Sequence, residues 1–220
     1  MIISKKNEVY LTVKTDKGIA RELSDFFTFE VPGAKFMPQY RNRMWDGKIR
    51  LYSLQTGEIY FGLLPYIEEF AKRNEIEIEY EENVNGQQEL GDGELDIFVG
   101  RVSPQSKGKT LEIRDYQMDA FTHAVRTNRS LLLSPTASGK SLIIYLLAVW
   151  YAMKTEKNVL ILVPTTSLVE QMYTDFVDYG FKESMMQKIY QGYSKNITKP
   201  VTISTWQSIY KMPKKWFEQF

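Results

Sequence analysis

The sequence predicts an α/β protein in which a small α+β domain is followed by a domain with an open, parallel β-sheet. Two observations support this prediction. Residues 1–80 mix short, alternating strand patterns with two amphipathic helix patterns. After residue 110, apolar strands alternate with helices, which is typical of a parallel sheet with crossover helices. We therefore expect domains at 1–80 and 110–220, joined by a linker at 81–109.

The expected first domain follows from local signals. Val9, Leu11 and Val13 alternate with polar residues and predict a strand, and Asp16 can cap the helix that follows. The Asp46-Gly47 pair predicts a tight hairpin, because both residues tolerate a positive φ. Pro65 favours the start of a second helix, and a closing strand is expected at 76–80. The inward side of this second helix is expected to carry Tyr66, Ile67, Phe70 and Ala71.

Residues 81–109 are rich in Gly, Asn, Gln, Ser and acidic side chains, which indicates a linker. Within it, 95–99 is expected to be a short strand or a docking segment. The second domain is expected to begin with a helix after Asp115. The elements predicted after it are a strand at 130–134, a helix at 139–153, a strand at 158–163, a helix ending at Tyr179 and a strand at 201–205.

Composition excludes several kinds of site. The 220 residues contain no cysteine and one histidine, His123, which excludes disulfides and thiolate metal sites and argues against a Ser-His-Asp triad. No apolar stretch is long enough to span a bilayer and the N-terminus lacks a signal-peptide pattern, so a cytoplasmic protein is expected. The net charge is only +1, yet 35–52 is basic and 68–96 is acidic, which leaves a nucleic-acid partner open.

The run from Ser134 to Ser141 (SPTASGKS) predicts a phosphate-binding loop between a strand and a helix. Gly139 lets the backbone approach a nucleotide, Lys140 supplies charge for the β- and γ-phosphates, and Ser141 supplies a hydroxyl for Mg²⁺. Ser134 replaces the usual first glycine, and Ala137 is expected to fit with little strain if its φ is negative. The predicted nucleotide contacts are Pro135, Thr136, Ala137, Ser138, Gly139, Lys140 and Ser141, of which Lys140 and Ser141 are also predicted to be catalytic.

Three further segments resemble motifs of superfamily 2 helicases. Arg114-Asp-Tyr-Gln117 is similar to the Q motif, whose glutamine amide pairs with adenine, and this implies ATP as the nucleotide, bound by Arg114, Tyr116 and Gln117. Residues 163–171 resemble motif Ia and residues 203–208 resemble motif Ib. Hydroxyls at such helix starts can hold a sugar-phosphate backbone, although they also serve as simple helix caps. The implied nucleic-acid contacts are Pro164, Thr165, Thr166, Ser204, Thr205, Trp206 and Gln207.

Across both expected domains the chain also resembles the UvsW-type recombination helicases of T-even-like bacteriophages. The matching stretches are 21–29, 45–51, 61–63, 163–166, 175–179 and 216–217. The resemblance implies an incomplete RecA-like second domain in an ATP-dependent DNA helicase or translocase. It implies remodelling of branched DNA by fork regression, Holliday-junction branch migration and R-loop unwinding, in recombination, repair and replication. It also implies ATP and Mg²⁺ as cofactors, DNA with branched duplex and single-stranded regions and R-loop RNA as partners, and the host cytoplasm as location.

Five cations of the first domain are predicted to contact DNA: Lys35, Arg41, Arg43, Lys48 and Arg50. They lie among the aromatic residues Phe36, Tyr40 and Tyr52, a combination typical of nucleic-acid surfaces. Trp45 is expected to belong to the core. The alternative, in which Phe36 is also core and the cations are simply solvated, stays open at this point.

The resemblance places an acidic Asp-Glu box shortly beyond Phe220, and the sequence contains none, so we expect negligible ATP turnover by this chain alone. Two other functions stay open. One is the motor subunit of a restriction enzyme. The other is a non-enzymatic DNA-binding module for which nucleotide is only a ligand.

Overall fold

The computed structural model describes residues 1–81, 84, 91 and 93–220. These residues fall into two units, Met1–Gly86 and Gln87–Phe220. The finer boundaries predicted at residues 80 and 110 stay a prediction, and the predicted linker residues 82, 83, 85–90 and 92 lie outside the described part. None of the described helices has the length and apolar character needed to cross a lipid bilayer.

The first unit contains a four-stranded mixed sheet. Its strands and helices are, in chain order, β1 (Ile2–Lys5), β2 (Tyr10–Lys14), α1 (Lys17–Phe26), β3 (Thr28–Glu30), α2 (Pro38–Arg41), β4 (Lys48–Arg50), β5 (Glu58–Tyr60), α3 (Leu64–Arg73) and β6 (Glu79–Tyr80). The order in the sheet is β5-β2-β1-β6, with β1 antiparallel to β2 and parallel to β6. Helix α1 begins as predicted, because Asp16 accepts hydrogen bonds from the amides of Gly18 (2.8 Å) and Ile19 (3.0 Å).

One apolar core joins this sheet to its helices. It includes Leu11 from β2, Leu23 from α1 and Ile67 from α3, all fully buried. Tyr66 was expected to face inward with Ile67 but is exposed. The two residues are neighbours in sequence and therefore point about 100° apart around the helix, so only one of them can face the centre of the core.

The tight hairpin predicted around Asp46-Gly47 is not formed, because the residues just before this turn are not the partner strand of β4. Gly47 does have a positive φ of 78°. However, β4 pairs antiparallel with β3, and the Val31 amide donates to the Gly47 carbonyl at 2.8 Å. The intervening residues 31–47 leave the small sheet and form a 3₁₀ turn and helix α2. A turn signal marks where the chain reverses, whereas packing decides which strand becomes the neighbour.

The second unit contains a parallel sheet, as predicted. Its elements are α4 (Glu94–Val102), β7 (Gln105–Ser106), β8 (Lys109–Thr110), α5 (Asp115–Thr127), α6 (Lys140–Lys154), β9 (Val159–Leu162), α7 (Thr166–Asp178), β10 (Met186–Ile189), β11 (Val201–Ser204), α8 (Trp206–Ile209) and α9 (Lys214–Phe217). In the described part of the chain the sheet order is β10-β11-β9, and both pairings are parallel. Strand β11 lies in the centre, and all four of its residues are buried.

Residues 95–99 lie in helix α4, so the strand alternative is wrong, whereas the docking-segment alternative agrees with the packing of this helix. Leu95 and Phe98 lie three residues apart on one side of this helix and are buried in the core of the second unit. The Phe98 ring contacts Phe121 of α5 and Trp150 of α6, with centroid separations of 5.7 and 5.0 Å. This part of the expected linker therefore belongs to a packed core.

The strand predicted at 130–134 is not formed. Leu131 and Leu133 are 83% and 89% exposed, and the segment belongs to none of the described sheets. A strand requires a neighbour that pairs with its N–H and C=O groups, and an apolar run does not supply one. The segment instead leads, without regular secondary structure, into the predicted phosphate-binding loop.

Candidate nucleotide and nucleic-acid sites

The predicted phosphate-binding loop leads directly into the N-terminus of α6. Gly139 caps this helix with a φ of 79°, in the left-handed region that favours glycine. A Cβ atom at Gly139 would lie 2.3 Å from Nε2 of Gln117. Glycine is therefore required here for two reasons, its conformation and the close approach of Gln117. The first amides of α6 point out of the helix end and suit phosphate oxygens.

Lys140 lies over the loop. Its Nζ donates to the carbonyl oxygens of Pro135 (2.7 Å) and Ser134 (3.3 Å). A phosphate oxygen at the same place would accept a stronger, charge-assisted bond than these neutral carbonyls do. Lys140 is thus positioned to exchange loop carbonyls for phosphate.

Ala137 does not meet the condition for low strain, which was a negative φ. Its φ is 64°, so the alanine is held in the left-handed region. This conformation costs an L-residue about 1–2 kcal/mol, because Cβ crowds the following carbonyl. Residue 137 is therefore a strained position of the loop. Many phosphate-binding loops have glycine there, which adopts this conformation without strain.

Helix α5 supports the loop from behind. The buried Gln117 amide donates from Nε2 to the Ser138 carbonyl at 3.0 Å and accepts at Oε1 from the Arg114 amide at 3.1 Å. Tyr116 Oη also donates to the Ser138 carbonyl at 3.0 Å, and Arg114 donates to Tyr116 Oη at 2.9 Å. One carbonyl of the loop thus has two donors from the segment predicted to read adenine. Gln117 supports the loop in this arrangement, and half of its hydrogen-bonding capacity is used to do so.

A cavity of about 610 Å³ lies between the start of α5 and the loop. This volume is in the range of small-molecule sites. Of the predicted nucleotide contacts, those that line it are Arg114, Tyr116, Pro135, Thr136, Ala137 and Ser138. The other predicted contacts are outside the lining: Gln117, Gly139, Lys140 and Ser141. Sequence reasoning missed the apolar lining from Ala120, the 131–133 segment and Ile143, because the predicted strand at 130–134 would have buried that segment in the sheet.

Ser141 has a partner that sequence reasoning also missed. Its hydroxyl shares a hydrogen bond of 2.8 Å with Tyr179 Oη, at the C-terminal end of α7. Burial raises the pKa of Tyr179, so its phenol stays protonated and neutral. Tyr179 ends one of the stretches that resemble UvsW-type helicases, which was the only sequence signal available for it.

A second cavity, of about 510 Å³, lies at the C-terminal ends of the parallel strands. The segments that resemble motifs Ia and Ib meet here, and the predicted contacts among the lining residues are Pro164, Thr165, Thr166, Thr205 and Gln207. Thr165 also caps α7, since its Oγ1 accepts from the Leu168 amide at 3.3 Å. Capping orients this hydroxyl without removing it from the cavity wall.

Two residues of the motif Ib segment lie apart from this cavity lining. Ser204 is fully buried and donates its hydroxyl to the Ile189 carbonyl at 2.6 Å. Its side chain ties β11 to β10, which corrects its prediction as a nucleic-acid contact. Trp206 is well exposed and neighbours Tyr210, with ring centroids 6.4 Å apart.

The turn after β10 completes the second cavity and was missed from sequence. Tyr190, Gln191, Gly192, Tyr193 and Lys195 line it. Glu170 of α7 holds this turn, since it accepts hydrogen bonds from Tyr190 Oη and from Lys188 Nζ (2.9 Å). The bond from Tyr190, and after it the bond from Lys188, lower the pKa of Glu170. The hydrogen bond to the Glu170 carboxylate in turn raises the pKa of Lys188.

The five predicted DNA-contacting cations of the first unit divide into two groups. Lys48 lies 3.8 Å from Glu30, and Arg50 pairs with Asp46, whose pKa this bond lowers. Within the described residues, Lys35, Arg41 and Arg43 form no ion pair, and they line a shallow concavity of about 680 Å³. The neighbouring aromatic residues also differ from expectation. Phe36 is exposed, Trp45 is only half-buried and donates to the Lys48 carbonyl (2.8 Å), and Tyr52 is buried and unavailable for stacking.

Two family models match the chain, one on each side of the expected linker. Residues 3–81 match the family described as "DNA helicase UvsW, N-terminal". Residues 110–220 match the family described as "Type III restriction enzyme, res subunit". The ATP-dependent DNA helicase uvsW of Enterobacteria phage T4 is 37% identical over 216 residues, which cover 96% of this chain and 43% of that protein. The chain therefore spans less than half the length of this curated relative.

Solved structures show the same similarity. A crystal structure of the UvsW helicase from bacteriophage T4 superposes with a TM-score of 0.89 at 35% identity, covering 100% of this chain and 79% of that one. A second crystal structure of T4 UvsW gives a TM-score of 0.91 at 35% identity, with coverage of 100% and 45%. Both the sequence of the whole chain and its fold thus match one kind of protein. The chain belongs to the UvsW family of DNA helicases.

Proposed function

We propose that this chain is part of an ATP-dependent DNA helicase or translocase that remodels branched DNA. The reactions we assign to the whole protein are fork regression, Holliday-junction branch migration and R-loop unwinding, in recombination, repair and replication. The observation that supports the proposal is that the second unit places the Ser134–Ser141 loop, held by Gln117, and a cavity where the motif Ia and Ib segments meet in one body. A motor needs both kinds of site in one body, because nucleotide binding must act on the bound strand.

The nucleotide in this proposal is ATP. Its base would enter the 610 Å³ cavity beside Tyr116, and its phosphates would meet Lys140 and the N-terminus of α6. Mg²⁺ fits the donor set, since Ser141 offers a hydroxyl oxygen whose present partner, Tyr179, is neutral and exchangeable. When bound, Mg²⁺ neutralises charge on the phosphates. Lys140 and Ser141 are the residues of this chain to which we assign catalytic roles.

The nucleic-acid partner is DNA with branched and single-stranded regions, together with the RNA of R-loops. Thr165, Thr166 and Thr205 would hold sugar-phosphate groups at the strand ends. Among the described residues, Lys35, Arg41 and Arg43 have no acidic partner, which suits a phosphate backbone. The named relative is a phage protein, so we place the reaction in the cytoplasm of the host cell.

A restriction-enzyme motor is the second candidate, because the family that matches 110–220 is named for a restriction subunit. That match covers the second unit alone. The match of 3–81 to the UvsW N-terminal family favours the recombination helicase, since the first unit is the part in which the two candidates differ.

Replacement of Lys140 tests the nucleotide site. Lys140→Ala removes the cation but leaves the backbone of α6 intact, so we expect at least about tenfold weaker binding of a fluorescent ATP analogue, the range of a lost charge-assisted bond. DNA affinity should change little. Lys72→Ala, on α3 of the other unit, is the matched control and should bind nucleotide normally. Unchanged nucleotide affinity in Lys140→Ala would contradict the assignment of the loop.

A further inference from the structure

The segment between β3 and β4 carries large apolar side chains on its outside. Phe36 is 67% exposed, Met44 73%, Tyr40 42% and Met37 41%. These four exposed apolar residues lie within nine positions of the chain, and we call them the tip. Single exposed apolar residues are ordinary, whereas a cluster of this kind indicates a binding surface.

The cations around the tip indicate the chemistry of its partner. Lys35, Arg41 and Arg43 are interleaved with the tip residues in sequence, and in the described part of the chain none of them has an acidic partner. Asp46, which lines the same concavity as these cations, is already paired with Arg50. Apolar faces framed by unpaired cations complement a polyanion that also offers flat apolar groups, and nucleic acid has both.

The tip is held in place before any partner arrives. The backbone amides of Arg41, Asn42 and Met44 donate to carbonyls of residues 37–39, at 2.8–3.1 Å. A Cβ atom on Gly47 would lie 3.1 Å from the Tyr40 ring, so this ring packs directly on the glycine backbone. A surface that is already ordered loses little conformational entropy on binding.

Duplex DNA does not offer the groups that the tip would contact. Bases inside a duplex stack on both faces, so exposed base faces occur at branch points, ends and single strands. Aromatic residues bind such faces by stacking, and Phe and Met side chains also insert between base steps as wedges. We propose that the tip stacks on unpaired bases at the branch point of DNA, while Lys35, Arg41 and Arg43 bind the flanking phosphates. This inference deepens the proposed function and rests on it.

The test compares two DNA molecules of equal length and three variants of the chain. One DNA is a three-way fork with unpaired nucleotides and 2-aminopurine at the branch, and the other is a fully paired duplex. The double variant Phe36→Ala/Met44→Ala should bind the fork at least about fivefold more weakly, the lower end of base stacking. Its affinity for the duplex should stay unchanged, and its binding should no longer alter the 2-aminopurine fluorescence. Leu54→Ala, which removes another exposed apolar residue of the same unit, should behave like the parent chain.

The charge variant separates stacking from phosphate binding. Arg41→Ala/Arg43→Ala should weaken binding to both DNAs and reduce the slope of log K against log [salt] by about 2, because two phosphate contacts are lost. The tip variant should keep the parental slope. If the tip variant and the parent chain bind the fork equally well, the stacking inference is overturned, while the proposed function stands. That result points to a protein partner for the tip. A parent chain that binds neither DNA overturns the DNA part of the proposed function as well.

Discussion

Gly139→Ala is the sharpest test of how the phosphate-binding loop is built. The added Cβ atom would lie 2.3 Å from Gln117 Nε2, far inside van der Waals contact, and the backbone there has a φ of 79°. The loop therefore has to change its conformation or push Gln117 out of its buried position. Both responses act on the same structure, the bond from Gln117 to the Ser138 carbonyl.

The size of the effect follows from these contacts. The left-handed conformation costs alanine about 1–2 kcal/mol. Displacing Gln117 breaks two hydrogen bonds, to the Ser138 carbonyl and from the Arg114 amide, worth about 0.5–1.5 kcal/mol each. Together these costs reach about 2–5 kcal/mol. They appear either as a lower free energy of unfolding or, if the loop opens locally, as weaker nucleotide binding.

Two measurements together capture both outcomes. Urea unfolding reports the free energy of unfolding, and titration with a fluorescent ATP analogue reports affinity. We expect a loss of at least about 2 kcal/mol in the first or more than about tenfold in the second, since 1.4 kcal/mol corresponds to a factor of ten. Gly100→Ala is the control, because it lies in α4 with nothing within 4 Å of an added Cβ, and it should be neutral or stabilising. If Gly139→Ala matches the parent chain in both measurements, our account of the loop is refuted.

Two further predictions concern Tyr179 and Glu170. Tyr179→Phe removes the hydrogen-bond partner of the Ser141 hydroxyl and leaves that hydroxyl free. Nucleotide affinity should therefore rise about two- to fivefold in Mg²⁺, the range of one modest hydrogen bond, and stay constant in EDTA. The same change in both conditions would argue against a role for Ser141 at the metal. Glu170→Gln should lower stability through the turn after β10. Because the folded-state pKa of Glu170 lies below its ordinary value of 4.5, this difference should be fully present above pH 4.5 and disappear as the pH falls through the folded value. Denaturant unfolding of both proteins across pH checks this, and a difference independent of pH would contradict it.

Local chemistry made much of the fold predictable. Asp16 predicts the start of α1 because its carboxylate satisfies free amides within the same turn. The apolar run at 158–163 predicts a buried parallel strand, and a parallel strand, β9, does occupy 159–162. Its burial was predicted wrongly, because β9 lies at the end of the described sheet and only Ile161 of its four residues is buried. The Ser134–Ser141 run is also a local pattern, because its glycine, lysine and serine lie within a few residues of one another, and its role in binding phosphate stays a prediction.

Long-range pairing was not predictable in the same way. The Asp46-Gly47 signal gave the turn but not the partner of β4, because β3 lies across the whole 31–47 excursion. Leu95 and Phe98 have helical spacing, yet the surrounding polar composition favoured a linker. In the sites, the bond between Ser141 and Tyr179 and the bonds of Glu170 to the turn after β10 join separate elements. No local pattern contains such pairs, since the fold alone brings them together.

Helix α7 connects the two candidate sites of the second unit mechanically. It begins at Thr166, in the wall of the cavity at the strand ends, and Tyr179 at its other end is bonded to Ser141 of the phosphate-binding loop. Thirteen residues of α-helix make a rod about 20 Å long that bends far less readily than a loop. In the proposed motor, a nucleic-acid strand that pulled on Thr166 would shift Ser141 through one rigid helix, and a shift of Ser141 would reach Thr166 in the same way. One helix would then carry both the force from the nucleic acid and the response of the nucleotide site.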